Sequence, residues 1–523
     1  MKTSALHSIL TNAAAAHGDK TMANWFQRGE SITYQQLEHQ VKLVSQALTQ
    51  WGITQQSHVA LMMPSCVESL SLWFAIAKIG AVMTPVNQAY QADELHYILQ
   101  NSDAEYLFVD AAYQPLMTKM PAPVSTLKKT CVVGECEHLG PNQTPWLELT
   151  GKTLITEAVV DEVITPDALF SIQYTSGTTG QPKGCMLSQE YWVRLATVAA
   201  QVGQDRQLDH CLIWAPFYYM DGQWQILMTM LLGGTAHIVN QMSLTQFGSW
   251  LDDYQINYCT LPEPFIQTLD ETQIPDRPLR MVNTFAWRPH NIEKLQRMYG
   301  PIGRDGFGMT EVGGVTSTKA TTDIQLHKGT CGQLIDEKVK ITIRDEHGFQ
   351  VEQNQQGELW VNNQHMLQGY YKNAKANAES FVDGWFRTGD LARMDADGYM
   401  YITGRLKEMI KRSGENISAR EVEAKIMQHP AVAEVAVVGV PDPKRKEEVK
   451  AFVILKEQRH ATQSSAASIV NHCLASLAVF KVPRYIEFIS ELPRTPTRKV
   501  AKHELKGIGL DNSSLSWDVS KWN

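Results

Sequence analysis

The chain has 523 residues, of which 43% are hydrophobic and 20% are charged, and its formal net charge at pH 7 is −8. A chain of this length is well beyond one typical domain, so two or more domains with sizeable cores are expected. Nucleic-acid-binding surfaces normally show as a basic excess, so the acidic balance argues against a nucleic-acid partner.

The cysteines and the N-terminus bear on the compartment. The eight cysteines are scattered, with no C-x-x-C pair and no His–Cys cluster at zinc spacing, which predicts reduced, mostly buried thiols. The short apolar run at residues 13–16 is too little for a signal peptide. The sequence has no uninterrupted apolar stretch of about 18 residues, so no transmembrane segment is expected. These observations together predict a cytoplasmic protein.

The first part of the chain alternates helical and strand patterns. Helical spacing over Ser31–Leu48 is followed by a short apolar strand at Val59–Met63 and a helix over Glu68–Ile79. Val82–Val86 and Leu107–Val109 repeat the strand pattern. This alternation predicts α/β layers with parallel sheets.

Further along, a strand at Leu169–Tyr174 leads into a polar loop and then into a helical pattern over Leu187–Ala200. Three later segments are β-rich: Val339–Arg344, Gly357–Val361 and Tyr399–Ile402. From about Lys407 the pattern changes to a small α+β unit. The sequence therefore predicts a large N-terminal domain of layered α/β subdomains plus a β-rich subdomain, residues 1–406. A tight hinge joins it to a small mobile C-terminal α+β domain, residues 407–523.

The loop after this strand reads Y-T-S-G-T-T-G-Q-P-K-G from Tyr174 to Gly184. Its glycines let backbone N–H groups point inward, its hydroxyls add donors and Lys183 adds a positive charge, which together suit a polyphosphate. It differs from the P-loop, because the lysine lies three residues past Gly180 and follows a proline. A polar surface turn is the alternative interpretation. We predict that the loop binds ATP through Thr175, Ser176, Gly177, Thr178, Thr179, Gly180 and Lys183.

A second segment with nucleotide chemistry reads F-G-M-T-E from Phe307 to Glu311. The Phe307 ring can lie against an adenine, next to Gly308, and the Thr310 hydroxyl can bond a phosphate oxygen. Glu311 offers the hard carboxylate oxygen that Mg²⁺ prefers alongside phosphates.

Three further segments follow in order. Asp390 ends W-F-R-T-G-D, and a carboxylate is a natural double acceptor for the two hydroxyls of a ribose. The others are G-R-L-K at residues 404–407 with K-R-S-G-E-N-I-S at 411–418, and P-R-T-P-T-R-K at 493–499.

In this order the segments resemble the motifs of the adenylate-forming superfamily. That superfamily contains acyl-CoA synthetases, adenylation domains of nonribosomal peptide synthetases and firefly-type luciferases. The resemblance covers essentially the whole chain and implies ATP and Mg²⁺ as cofactors. It implies catalytic roles for Lys499, Thr178, Lys183 and Glu311, ribose or phosphate binding by Asp390 and Arg405, a hinge at Lys407 and a thiol-side loop at Gly414.

Within the superfamily the chain resembles acyl-CoA ligases, particularly crotonobetaine/carnitine-CoA ligase-like proteins. No carrier domain with a phosphopantetheine serine follows, so the resemblance implies coenzyme A as the acyl acceptor. The chain departs from the family pattern in having Tyr219 in place of a histidine linked to the thiol half-reaction. It also has Phe307 for a tyrosine, and Arg498 and Lys446 for glycines.

Segments 215–224 and 284–288 line the acid pocket in this family. The candidate pocket residues are Tyr218, Tyr219, Asp221, Trp224 and Trp287. Bulky Trp287 argues for a shortened pocket and against long fatty acids. A carboxylate ringed by aromatic side chains suits an ammonium group, which makes a small betaine or amino acid the candidate substrate. The alternative is that Asp221 ends a strand or pairs with a neighbouring arginine.

Other classes of function stay open at this point. The runner-up is a stand-alone amino-acid adenylating enzyme that loads a separate carrier protein. A non-enzymatic nucleotide-binding member is a third class, against which Lys499 and Glu311 count. A luciferase-like oxidation has no discriminating feature in the sequence.

Overall fold

The computed structural model describes residues 5–151, 164–175, 181–203, 206–274, 276–413, 415–457, 461–495, 499–508 and 516–518. Helices and strands alternate through most of them, which confirms the predicted α/β class. The helices are His7–His17 (α1), Tyr34–Trp51 (α2), Val67–Ile79 (α3), Ala92–Asn101 (α4), Trp146–Gly151 (α5), Gln189–Gly203 (α6), Met220–Leu231 (α7), Leu244–Asp253 (α8), Glu263–Thr268 (α9), Pro289–Tyr299 (α10), Ala374–Ser380 (α11), Ala419–Ile426 (α12), Gln463–Leu474 (α13) and Lys502–Ile508 (α14). The strands are Thr21–Trp25 (β1), Glu30–Thr33 (β2), His58–Met62 (β3), Val82–Pro85 (β4), Tyr106–Asp110 (β5), Lys129–Val133 (β6), Gln143–Pro145 (β7), Leu169–Thr175 (β8), Lys183–Ser188 (β9), His210–Ile213 (β10), Thr235–Ile238 (β11), Tyr258–Thr260 (β12), Met281–Asn283 (β13), Gly303–Arg304 (β14), Gly306–Met309 (β15), Gly313–Ser317 (β16), Gln333–Leu334 (β17), Lys340–Arg344 (β18), Gly357–Asn362 (β19), Phe381–Val382 (β20), Trp385–Met394 (β21), Met400–Arg405 (β22), Met409–Arg412 (β23), Glu415–Ser418 (β24), Val432–Asp442 (β25), Lys446–Leu455 (β26), Tyr485–Phe488 (β27) and Ser516–Asp518 (β28).

The chain divides into two compact units. The larger unit holds the described chain up to Lys340 together with Asn362–Gly384. The smaller unit holds Ile341–Val361 and the chain from Trp385 onward. The predicted boundary between residues 406 and 407 separates two parts that are expected to move relative to each other. A division into compact units does not address motion, so this boundary stays a prediction.

Two mostly parallel sheets form the frame of the larger unit. One has the strand order β7-β6-β5-β3-β4-β8-β9, and its pairs are parallel except for β8 with β9. The other has the order β14-β13-β12-β10-β11-β1-β2, and only its pair β1 with β2 is antiparallel. The carboxyl ends of parallel strands meet at one edge of a sheet, where α/β proteins bind ligands. The segments that follow β10, β13 and β14 therefore share an edge.

Helix α2 begins three residues later than the sequence pattern predicts. Ser31 and Ile32 belong to β2, where they pair with β1. Thr33 then caps the helix: its side chain accepts from the backbone N–H of Gln36, whose side chain accepts from the backbone N–H of Thr33. This reciprocal capping box fixes the start of the helix at Tyr34.

The helix predicted over Leu187–Ala200 also begins late. Met186 lies opposite Ile172 and Leu187 opposite Ser171, so the segment up to Ser188 is a strand that closes an antiparallel hairpin. Helix α6 starts only at Gln189. The apolar residues of β9 fit either periodicity, and the pairing with β8 decides between them.

The C-terminal part of the smaller unit is an α+β layer. Its sheet has the order β24-β23-β26-β27-β28, with β25 paired to β26. Val437 on β25 packs in a core with α12 and α13, whereas its neighbour Val438 packs in a second core with Leu505 of α14. Successive side chains of a strand point to opposite faces, so this sheet is covered by helices on both sides.

Two further expectations concern the whole chain. All eight cysteines are free thiols, and only Cys136 is less than fully buried, as expected. Among the described helices, none has both the length and the apolar character needed to cross a membrane.

Candidate active site

The predicted ATP-binding loop is carried by the antiparallel hairpin of β8 and β9. Thr175 and Lys183 lie opposite each other as the last paired residues before the loop. Gly184 follows Lys183 at a point where a Cβ would come within 2.6 Å of the Ile172 side chain, so only glycine fits without displacing a neighbour. The other predicted loop residues, Ser176, Gly177, Thr178, Thr179 and Gly180, lie outside the described residues.

Lys183 and Glu311, which come from separate motifs, meet at one tyrosine. The Lys183 Nζ lies 4.7 Å from the centroid of the Tyr370 ring. The Tyr370 hydroxyl donates a hydrogen bond of 3.0 Å to Oε1 of Glu311. Both Tyr370 and Glu311 are buried, with 5% and 7% of their surface exposed. Burial, followed by the Glu311 charge, raises the pKa of Tyr370 far above the usual range of a phenol, so this hydroxyl remains a neutral donor.

The F-G-M-T-E segment forms β15 and the turn into β16. Its backbone is held from outside: the Tyr191 hydroxyl donates to the carbonyl of Thr310, and Leu367 N–H donates to that of Glu311. A Cβ on Gly308 would lie 2.8 Å from a backbone carbonyl of the facing strand, which explains this glycine. Phe307 and Thr310 are half-buried, so the segment offers a partly accessible ring and hydroxyl beside a fixed carboxylate.

The first acid-pocket segment follows β10 and opens α7. The rings of Tyr218 and Tyr219 are 4.6 Å apart, and Tyr219 is half-buried. Asp221 is exposed in the first turn of α7, and its Oδ1 accepts a hydrogen bond of 3.1 Å from Nε1 of Trp224. The carboxylate therefore begins a helix, where the macrodipole favours a negative charge.

The second acid-pocket segment follows β13 at the same edge of the sheet. Trp287 is only 8% exposed and packs in the core around Phe247 and Leu295. Trp224 packs in a different core cluster, around Met228 and Tyr258 on α7 and β12. Trp224 and Trp287, one from each acid-pocket segment, are thus anchored in separate cores.

In the smaller unit, Asp390 and Arg405 lie opposite each other on β21 and β22. The Arg405 Nε is 2.9 Å from Asp390 Oδ1, and only 4% of Asp390 is exposed. Burial raises the pKa of Asp390 above its usual range, although the positive charges of Arg405, Arg420 and Lys499 act to lower it. The predicted ribose-binding residues Asp390 and Arg405 therefore form an ion pair with each other, and Lys499 is close enough to act on the pKa of Asp390.

Lys499 itself is exposed on a turn. The N–H of Thr495 donates to its carbonyl at 2.8 Å, and the N–H of Ala501 donates to the carbonyl of Pro493 at the same distance. Residues 496–498, which include Arg498, lie outside the described residues. The backbone carbonyl of Lys499 is thus held by a hydrogen bond, while the residue as a whole is exposed.

The predicted hinge and thiol-side loop follow β22. Lys407 is exposed in a single 3₁₀ turn, Leu406–Glu408, and β23 and β24 then form a hairpin. Gly414, between these two strands in the sequence, lies outside the described residues. Ser413 at this turn donates its N–H to the carbonyl of Arg445 at 2.9 Å.

The connection between β25 and β26, which is hydrogen-bonded to Ser413 through Arg445, carries a run of positive charge. Lys444, Arg445 and Lys446 are exposed, as is Lys411 on β23. Within the described residues, no carboxylate lies within ion-pair distance of the three lysines, while Arg445 contacts Glu448 at 3.0 Å. Lys446 has a φ of +74°, a backbone conformation that strains a side chain other than glycine.

Sequence reasoning missed two residues of these clusters. Tyr370 is 59 residues from Glu311 and belongs to no motif, so no local signal pointed to it. Lys502, which binds Glu408 next to the predicted hinge, was likewise hidden, because only the fold brings the two together.

Comparison with known proteins places this geometry in context. The family model for AMP-binding enzymes matches residues 10–371, and the model for the AMP-binding enzyme C-terminal domain matches residues 421–499. A protein of Bacillus subtilis named as an acyl-CoA synthetase, YngI, is 31% identical over 98% of this chain and 98% of its own. The crotonobetaine/carnitine–CoA ligase of Salmonella paratyphi A is 28% identical over 96% and 98% of the two chains.

Two other similar proteins are relevant, one to the acyl acceptor and one to the fold. A fatty acid–[acyl-carrier-protein] ligase of Streptomyces coeruleorubidus, ScoC, is 27% identical over 95% of each chain. The crystal structure of the anthranilate CoA ligase AuaEII in complex with anthranoyl-AMP has a TM-score of 0.85 at 24% identity and covers 97% of each chain, which is a likeness of fold. Because both models match in order and together cover most of its length, the chain belongs to the family of AMP-binding enzymes.

Proposed function

We propose that the chain activates a small carboxylic acid with ATP and transfers the acyl group to the thiol of coenzyme A. The observation that carries the proposal is the cluster of Lys183, Tyr370 and Glu311. It sets a cation from the hydroxyl-rich loop and a buried carboxylate around one phenol. A cation for phosphate and a hard oxygen ligand for Mg²⁺ are the two groups that reaction at a triphosphate requires.

In the first step, a carboxylate oxygen of the acid attacks the α-phosphorus of ATP, and the bond to the β-phosphate oxygen breaks. Pyrophosphate leaves and an acyl-AMP forms. Lys183 binds the phosphates, and Asp390 with Arg405 binds the ribose. Lys499 stabilises the negative charge that builds up between the carboxylate and the α-phosphate. The Glu311 carboxylate fits Mg²⁺, which would neutralise phosphate charge when bound.

In the second step, the coenzyme A thiol loses its proton and attacks the acyl carbon, and AMP leaves with the bonding electrons. We propose that residues 1–406 and 407–523 are the two bodies that rotate between these steps, with Lys407 as the pivot. The turn at Gly414 would then face the thiol in place of the turn at Lys499.

Coenzyme A is favoured as acceptor by the basic turn of the smaller unit. Lys444, Arg445 and Lys446 lie next to the predicted thiol-side loop, since Arg445 accepts the backbone hydrogen bond of Ser413. Exposed cations at a strained turn suit the phosphates of coenzyme A. Two relatives, YngI and the crotonobetaine/carnitine–CoA ligase, are named for coenzyme A and support it as the acceptor. A third relative, ScoC, is named for an acyl carrier protein, so a separate acyl carrier protein is the second candidate.

For the acid we propose a small zwitterion of the betaine or amino-acid type. Asp221 is exposed two residues after Tyr219 in the chain, and its Oδ1 accepts a hydrogen bond from Trp224. Aromatic rings and a carboxylate together attract an ammonium group. A relative named for crotonobetaine and carnitine supports the same class.

The test is a panel of betaines, amino acids and neutral short-chain acids, assayed for acid-dependent pyrophosphate release with and without coenzyme A. We expect release with at least one small acid, and a thioester only when coenzyme A is added. Acyl-AMP that accumulates with coenzyme A present, but is consumed by a phosphopantetheinylated carrier protein, would establish the second candidate instead.

A further inference from the structure

A half-buried ion cluster joins the predicted hinge to the segment of the predicted catalytic lysine. Nζ of Lys502 lies 2.5 Å from Oε2 of Glu408 and 2.8 Å from Oε1 of Glu423. Only 17% of the Lys502 side chain is exposed, and 18% of that of Glu423. Glu408 directly follows Lys407, and Lys502 lies three residues after Lys499.

The charges in this cluster favour a tightly held ammonium group. Burial acts to lower the pKa of Lys502, but Glu423 and Glu408 outweigh it and raise this pKa above the usual range. Burial raises the pKa of Glu423. Its Oε1 also accepts the backbone N–H of Val437 at 2.7 Å, which ties the cluster to β25. Charge-assisted hydrogen bonds of this kind are about twice as strong as neutral ones.

The cluster lies directly after the segment that carries Lys499, at the start of helix α14. Lys502 is the first residue of α14, and Leu505 anchors that helix in the core against β25. The turn that carries Lys499 is closed by the hydrogen bond from Ala501 to Pro493, directly before Lys502. A shift at Lys502 therefore moves the backbone that presents Lys499.

We propose that Lys502 is a positioning residue that couples the hinge side, through Glu408, to the Lys499 turn. This inference rests on the proposed function for its kinetic consequence, but its structural part is independent of it. When the smaller body rotates about Lys407, the ion pair makes the Lys499 turn follow residue 408 as one rigid piece. An error of about 1 Å in the position of a reacting group costs up to about 10²-fold in rate.

Lys502→Met tests the coupling, because it removes the charge and keeps the length of the side chain. The matched control is Lys481→Met. Lys481 also pairs with a glutamate of α12, Glu421 at 2.7 Å, and its side chain is 25% exposed. Among the described residues its ion pair is with α12 alone, and not with Glu408, which follows the predicted hinge residue. Lys502→Arg should restore function, since it keeps the cation.

Two measurements are made on the full-length protein. In Lys502→Met we expect acid-dependent ATP–pyrophosphate exchange to fall by about 30- to 100-fold, while thioester formation from supplied acyl-AMP changes less than about threefold. Amide hydrogen exchange of the peptide 493–501 should rise by about tenfold or more, because the bonds at Thr495 and Ala501 open more often. Lys481→Met should show neither effect.

The proposal is overturned if the exchange of peptide 493–501 is the same in Lys502→Met as in Lys481→Met. It is also overturned if Lys502→Met slows both half-reactions by the same factor, as a loss of folded protein would. If the wild type shows no acid-dependent exchange of pyrophosphate, the proposed function fails, and amide exchange alone then decides whether Lys502 holds the turn. Glu408→Gln should give the same signature as Lys502→Met.

Discussion

The two compact units present their candidate catalytic groups in opposite ways. In the larger unit Glu311 is buried and receives a hydrogen bond from Tyr370. In the smaller unit Lys499 is exposed, and no hydrogen bond or ion pair of its ammonium group occurs among the described residues. Only the backbone of its turn is held.

This difference fits two kinds of task. A metal-binding carboxylate works best when its position is fixed before the nucleotide binds, because preorganised groups need no rearrangement during reaction. A lysine that serves one half-reaction and then leaves is better held by its backbone alone, since every side-chain contact would have to break. We therefore propose that Glu311 belongs to the part of the site that stays fixed, and that Lys499 belongs to the mobile body of residues 407–523.

The largest effect on the rate of acyl-AMP formation is expected from removing the ammonium group of Lys499. Lys499→Ala should slow acyl-AMP formation by about 10²–10³-fold, the range seen when one transition-state donor is lost. Thioester formation from supplied acyl-AMP should stay near the wild-type rate. Both half-reactions are measured separately, with Lys506→Ala on the exposed side of α14 as the control. Equal damage to both steps would show that Lys499 is not a first-step group.

The motion itself is tested at the hinge. Lys407→Pro should block thioester formation by on the order of 10²-fold and leave adenylation largely intact, because the ring fixes φ and prevents rotation. Lys407 lies in a 3₁₀ turn, whose residues typically have φ of about −50 to −70°, close to the value that proline imposes, so the conformation described here should survive. Lys407→Ala is the control that leaves φ free. A proline variant that makes thioester normally would place the pivot elsewhere.

The limits of sequence reasoning follow the same division between local and distant contacts. Helix α3 was predicted to within one residue at its start and at its end, because its apolar pattern and the glycine after it are local signals. The strand character of Leu187 was missed, since it depends on pairing with β8. Motifs located Lys183 and Glu311, but Tyr370, which joins them, comes from a segment without any motif.

The fixed carboxylate is tested by charge removal. Glu311→Gln should raise the Mg²⁺ concentration needed for half-maximal adenylation by about tenfold or more, because an amide is a poor ligand for a hard cation. Tyr370→Phe should shift the same titration in the same direction by less, since it removes one hydrogen bond and no charge. Unchanged magnesium titrations in both variants would move the metal site away from this cluster.

The thiol side of the smaller unit gives a moderate effect. Lys446→Gly should raise the KM for coenzyme A by about fivefold to tenfold, roughly the loss of one charge-assisted contact. It should leave the KM for pantetheine, which lacks the nucleotide phosphates, unchanged. Glycine accepts the φ of +74° without strain, so the variant should be at least as stable to heat as the wild type.

Lys446→Arg keeps the charge and should keep the wild-type KM for coenzyme A. If Lys446→Gly raises the KM for coenzyme A and for pantetheine alike, the turn acts on the shape of the thiol channel and not on phosphate. If neither changes, the basic turn has no part in binding coenzyme A.

The smallest effect is expected at Asp221, on the acid side of the fixed unit. Asp221→Asn keeps an oxygen to accept from Trp224 and keeps the start of α7, so the fold should lose no more than about 0.3–1 kcal/mol from the helix dipole. Because Asp221 is exposed, solvent weakens its attraction for an ammonium group to about 1 kcal/mol, or roughly fivefold in binding. A neutral acid of similar size never makes this interaction and should be unaffected.

The measurement is the ratio of kcat/KM for carnitine or an amino acid to that for butyrate, in wild type and variant. We expect the wild type to favour the zwitterion and the variant to lower the ratio several-fold. Should the wild type prefer butyrate, or should the ratio stay the same, Asp221 serves only to begin α7, and the acid carries no ammonium group at this position.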